Sequence, residues 1–325
     1  MSTERKPWSP VRRALQGRTF VFAAALALLL FLVNLAQDRR FVSASGLPQT
    51  LADLAPFALI AMATVPSVVV GGLDFSVGPV MSLTNVMFVA VLIPRGLAAP
   101  VISLPLLLGL GAVVGALSGV LISYLRIPAV IVGLCALFIV GGVAQQVLLN
   151  PESAPANWTT QLAGNWGPLP GGLVTIAVPV AVWLLLGRTA LIKSIFAVGG
   201  DAPAAYASGV NVGLVRVLAY ALGGMFAAVA GFALTGLVNS ADSSIGVQYT
   251  LIAVAAVSLG GTPAGGGRGG LVGALLGAVS IFLIQNVLLN ASVPAQWLDV
   301  VYGGVLIVAA VLGTQLVPRR RVAAL

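Results

Sequence analysis

Long apolar runs, interrupted by isolated charges or short polar breaks, dominate the chain. Nineteen uncharged residues lie between Arg18 and Asp38, 20 between Asp53 and Asp74, and 20 between Asp74 and Arg95. Arg95–Arg126 encloses 30, Arg126–Glu152 25, and Glu152–Arg188 35, the first half of which is polar. Arg216–Asp242 and Asp242–Arg268 enclose 25 each, Arg268–Asp299 30, and Asp299–Arg319 19. A hydrocarbon core about 30 Å thick requires about 20 apolar residues per helix, so these gaps predict ten spans. The runs do not alternate, whereas a barrel strand alternates in and out over about ten residues. Helices are then the elements that satisfy every backbone amide in lipid. The expected fold is an all-α integral membrane protein of about ten transmembrane helices.

Basic residues orient the spans. With the N-terminus inside, 13 Lys and Arg fall on the inner side and three (Arg39, Arg40 and Arg95) on the outer side. Both termini are therefore expected in the cytoplasm. This divides the chain into a basic segment 1–18, a transmembrane domain 19–317 and a basic tail 318–325. The first span, near Phe20 to Ala36, follows a basic stretch as a signal peptide would. Its apolar run exceeds the 7–15 residues of a typical signal core and no small-residue cleavage site follows, so a retained anchor is expected.

Composition narrows the function classes. Of 325 residues, 59% are hydrophobic and 7% charged, with a mean hydropathy of +1.08. A soluble domain carries roughly 25% charged residues, so this chain could not clothe a water-exposed surface. It has no His and one Cys, Cys135, which excludes an intrachain disulfide, a Cys/His zinc site and His-based catalysis. The net charge of +8 is accounted for by basic residues facing anionic cytoplasmic lipid, without nucleic acid.

Two connections are long. The outer one, Asn150 to Pro170, carries Trp158 and Trp166, either as interfacial anchors or as a docking surface for an external partner. The inner one, about 188–215, contains a self-capped helix: Asp201 as N-cap, Pro203 in the first turn and Gly209 as a left-handed stop. So short a helix is marginal alone; it either docks on a cytosolic partner or lies on lipid.

Two glycine-rich turns stand out, GGLDFSVGP from Gly71 and GGTPAGGGRGG from Gly260. In the first, Gly71 and Gly72 end one helix and Asp74 or Ser76 caps the next, with Gly78 behind. The second, with Gly260, Gly261 and Arg268, is a further break. Either both are helix breaks of a transport gate or both are tight cytoplasmic turns. Neither is a P-loop, which needs Lys-Ser/Thr after its glycines; no Lys lies near Gly260 to Gly270. Gly109, Gly111, Gly115 and Gly119, and Gly269, Gly273 and Gly277, form faces for close helix packing. Polar residues inside spans, notably Asn85, Gln285 and Asn286, suit transient contact with a neutral polyhydroxyl solute. Every ionisable residue maps to a span end or loop, with Asp74 either an inner-interface cap or a pathway residue.

These features describe a helix-lined conduit with no energy source of its own. The motifs GGLDFSVGPVMSL (Gly71 to Leu83), AVGGDAPAAYASGVNV (Ala197 to Val212) and SLGGTPAGGGRGGLVGALLGA (Ser258 to Ala278) resemble the inner-membrane permeases of ribose-type ABC importers, within the branched-chain amino acid permease superfamily. The resemblance covers roughly residues 50–315. It implies a pair of permeases, identical or homologous, two cytosolic ATPase subunits that use ATP and Mg, and an extracytoplasmic binding protein that delivers a pentose or hexose. It implies no cofactor or metal on this chain, and no enzymatic activity. The inner helix becomes the coupling helix, carrying Asp201, Ala204, Ala205, Tyr206 and Gly209. Branched-chain amino acid, nucleoside or autoinducer cargo is the alternative within the class, and an ion-coupled carrier the alternative outside it.

Overall fold

A computed structural model describes residues 21–307, apart from 295, 296 and 299. Among the described residues, eleven α-helices of six or more residues are bounded at both ends, with α1 at Val21–Gln37, α2 at Leu47–Val69 and α3 at Val77–Val86, and residues 300–307 are also helical. A π-helical stretch, Met87–Leu92, prolongs α3. α4 (Pro100–Ser123), α5 (Ala129–Val147) and α6 (Gly171–Leu186) follow. Then come α7 (Ala190–Gly200), α8 (Ala202–Ala207), α9 (Val212–Val238), α10 (Gly246–Leu259) and α11 (Leu271–Asn290). Nine of the ten uncharged gaps thus hold an apolar helix. The tenth gap, like segments 1–18 and 318–325, lies largely or wholly outside the described residues. By length and composition, five helices among the described residues can cross a membrane (α2, α4, α5, α9 and α11), or six if the bent pair Gly171–Leu186 and Ala190–Gly200 is one span, while α1, α3 and α10 are shorter. Among the described residues the fold is all-α apart from two-residue strand pairs in loops: Glu152–Ser153 against Ser240–Ala241, and Asn165–Trp166 against Leu169–Pro170.

The core sits around α2. That helix is buried over nearly its whole length and packs on α6, α9, α10 and α11. α4 and α5 instead present mostly exposed apolar side chains, such as Val101, Phe138 and Ile139, the composition expected of lipid-facing surface. α9 and α4 approach through small residues: a Cβ on Gly111 would overlap the Gly224 backbone, and Gly115 and Gly119 face Tyr220 and Val217. Gly109, two residues off that i, i+4 stripe, meets nothing within 4 Å and does not belong to the packing face. Gly273 and Gly277 likewise meet Gly260 and Ala256 of the α10 end.

Trp158 is half-buried. It packs between Phe88 and Phe232, with centroids 6.0 and 5.1 Å away, and fastens the outer loop to α3 and α9. Trp166 is the exposed one. On the opposite side α6 and α7 bend by 78°. α7 was not anticipated from sequence; it buries Ile192, Ile195 and Val198 along one face and leads directly into α8.

Candidate functional site

The inner connection folds locally as its residues dictate. The Asp201 carboxylate accepts a hydrogen bond from Ala204 N–H at 3.0 Å, capping α8, and Pro203 sits in the first turn. At the other end Gly209 adopts φ +85°, its N–H donating to Tyr206 O and that of Val210 to Ala205 O. These paired bonds close the helix as a Schellman motif. Ala204, Tyr206 and Gly209 are exposed, Tyr206 by 75%. Ala205 is different: only 6% exposed, it packs into the chain's own core, so it holds α8 in place and cannot itself meet a docking partner.

Both glycine-rich turns end their helices by one geometry. Gly71 (φ +95°) and Gly261 (φ +77°) take the left-handed position. The next amide then reaches back five residues, Gly72 N–H to Ser67 O at 2.9 Å and Thr262 N–H to Val257 O at 3.2 Å. The turns also meet each other. Gly267 N–H donates to Val69 O at 2.8 Å, and a Cβ on Gly266 would lie 2.7 Å from Gly71 N. A third partner joins them: a Cβ on Gly199, two residues before Asp201, would overlap Val69 O and lie 2.7 Å from Gly267 N. Only glycine fits there. The α2 break, the α10–α11 break and the base of the inner helix form a single junction; Arg268, in the same loop, points outward and is exposed.

Residues 72–76 run non-helically from this junction to α3. Gly133 of α5 meets Leu73 and Phe75, while Thr250 of α10 donates weakly to Phe75 O at 3.3 Å. Such backbone is tolerable at membrane depth only when enclosed by protein. Asp74 sits inside it, 1% exposed, with Oδ1 accepting from Ser76 N–H (2.9 Å) and Ser76 Oγ (2.6 Å) and Oδ2 unpartnered. Asp74 is therefore neither a solvent-facing cap nor at an exposed span end. Ser76 occupies the N-cap position of α3 but makes no side-chain capping bond, its hydroxyl being committed to Asp74.

A repeat escapes a reading based on glycines alone. Asp74-Phe75-Ser76-Val77-Gly78 recurs as Asp242-Ser243-Ser244-Ile245-Gly246. Asp242 Oδ1 likewise accepts from Ser244 N–H (2.8 Å) and Ser244 Oγ (2.7 Å). The motifs introduce α3 and α10, and their glycines touch: a Cβ on Gly78 would overlap Gly246 O, and one on Gly246 would lie 2.9 Å from Gly78 O. The spacing Asp-x-Ser-x-Gly was the available signal.

The polar residues expected along a solute path separate. Asn85 is spent inside the protein: its amide donates to Thr235 Oγ1 (2.8 Å) and Ser240 O (2.9 Å) and accepts from Asp242 N–H (3.0 Å). It clamps α3 to α9 and the following loop rather than facing solute. Gln285 accepts from Tyr302 Oη at 2.8 Å; Asn286 is half-buried beside it. Among the described residues no cluster of His, Cys, Asp or Glu suits a metal.

Comparison with known proteins follows these features. The family model described as branched-chain amino acid transport system / permease component matches residues 46–310. The chain is 30% identical to the ribose import permease protein of Escherichia coli K12 over 89% of this chain and 91% of that one. It is 29% identical to the galactose/methyl galactoside import permease protein of the same strain, covering 94% and 95%. It is 30% identical to the autoinducer 2 import system permease protein of Escherichia coli O157:H7, covering 93% and 89%. No solved structure matches. With its all-helical apolar core and matched over most of its length, the chain belongs to the branched-chain amino acid transport system permease component family.

Proposed function

We propose that this chain is the transmembrane permease subunit of an ATP-binding cassette importer in a bacterial inner membrane, forming the pathway for a sugar of pentose or hexose type. About ten spans with both termini cytoplasmic, a second permease copy or homologue, two cytosolic ATPase subunits and an external binding protein complete the reading. The observation that carries it is α8. This exposed two-turn helix is capped at both ends and joined through Gly199 and Gly200 to both helix breaks. Force applied to α8 by a nucleotide-driven partner would reach the gate through backbone contacts. Sugar cargo is favoured by the ribose and galactose permease relatives. The autoinducer 2 relative, at similar identity, keeps that cargo as the second reading.

The test is Tyr206→Asp, which places a charge on the exposed face of α8 without touching the core. The variant should insert normally yet fail to co-purify with its co-expressed ATPase and fail to support uptake. Normal uptake would overturn the assignment of α8. Uptake by the chain alone in liposomes under a proton or sodium gradient would overturn the importer reading in favour of an ion-coupled carrier.

A further inference from the structure

A cavity of about 410 Å³ opens between the α2 break, the α4–α5 turn and α9. Its wall includes Gly72, Ser123, Arg126, Ala129, Arg216 and Tyr220. Arg126 is exposed and Arg216 half-buried, and neither guanidinium has a hydrogen-bond or ion-pair partner among the described residues. The Tyr220 hydroxyl and Ser123 Oγ are also buried without partners, Tyr220 being 1% exposed. Buried hydroxyls are normally satisfied, so two idle ones beside two idle guanidiniums point to an absent acceptor. Arg126 adopts φ +55°, a left-handed conformation costly for a residue with a Cβ. Glycine would serve that turn better; the guanidinium is what glycine lacks.

We infer that this cavity binds a phosphate group, held by Arg126 and Arg216 with the hydroxyls of Ser123 and Tyr220. Guanidinium forks from the α4–α5 turn and from the first part of α9, with two hydroxyl donors, match the several oxygens of a tetrahedral oxyanion. The apolar remainder of the wall, including Val70, Ile122 and Ala129, leaves room for a glycerol attached to it. Arg126 and Arg216 lie on the side that the basic-residue count assigns to the cytoplasm, where both free phosphate and anionic lipid headgroups are available. Because Gly71 and Gly72 form part of the wall, an occupant would brace the helix break itself.

The test follows the melting of the full chain by tryptophan fluorescence in nanodiscs. One arm adds inorganic phosphate to phosphatidylcholine discs at constant ionic strength; the other replaces part of that lipid with phosphatidylglycerol in phosphate-free buffer. The expected result is a raised midpoint in at least one arm, reduced by half or more in Arg126→Gly and in Arg216→Gln. A response to phosphate alone identifies a free anion, and a response to phosphatidylglycerol alone a lipid headgroup. Arg126→Gly relieves the strained backbone, so its basal midpoint should not fall, which separates lost binding from lost folding. No response in either arm, or an equal response in both variants, overturns the site.

Discussion

Gly199 and Gly200 are adjacent, both end α7, and should respond to alanine with opposite signs. In a helix, alanine is favoured over glycine by up to about 1 kcal/mol. At Gly200 the nearest atom to a new Cβ is Gly267 Cα at 4.0 Å, ordinary contact, so Gly200→Ala should be neutral or slightly stabilising. At Gly199 the Cβ overlaps Val69 O and approaches Gly267 N to 2.7 Å, across the hydrogen bond that joins those two groups. Overpacking costs about 1–3 kcal/mol, and stranding a buried donor and acceptor about 1–3 kcal/mol more. Even after the gain in helix propensity, Gly199→Ala should lose roughly 1–5 kcal/mol. Melting in detergent monitored by tryptophan fluorescence, paired with uptake in cells, measures both. If the two variants melt alike, the junction is not the rigid contact derived from these atoms.

Four further substitutions probe other links. Asn85→Ala removes three hydrogen bonds and strands Asp242 N–H, costing about 2–4 kcal/mol; an unchanged midpoint would return Asn85 to the solute path. Asp74→Asn keeps an acceptor for Ser76, so it should fold and transport normally in an ATPase-driven permease but stop a proton-coupled carrier. Gly224→Leu should drive α9 from α4 and abolish folding, whereas Gly109→Leu, facing open space, should be tolerated; equal effects would contradict the packing stripe.

The long apolar helices, unlike α7, were legible because each rests on a local property, an uncharged run long enough to reach across lipid. The caps of α8 were legible for the same reason, since Asp201 and Gly209 act within four residues of themselves. What sequence could not disclose is which side of an element meets which neighbour. Ala205 and Tyr206 are adjacent, yet one enters the core and the other faces out. Asn85 looked free for solute because its partners Thr235, Ser240 and Asp242 lie more than 145 residues away. The two glycine turns, recognised separately, gave no sign of contact with each other or with Gly199. Asp74 misled because a carboxylate in a turn ordinarily faces water, and only the packing of α5 and α10 around residues 72–76 reverses that.

The enclosure of α2 bears on biogenesis. A helix walled in by α9, α10 and α11 leaves the ribosome long before its walls exist: 142 residues separate Val69 from Val212. At about 5–20 residues per second this is a wait of roughly 7–28 s. Until then α2, with Pro56, Pro66, Thr64 and Ser67, must be sheltered by the insertion machinery or by temporary neighbours. A polypeptide truncated before α9 should therefore be handed to membrane proteases, however apolar its remaining helices are.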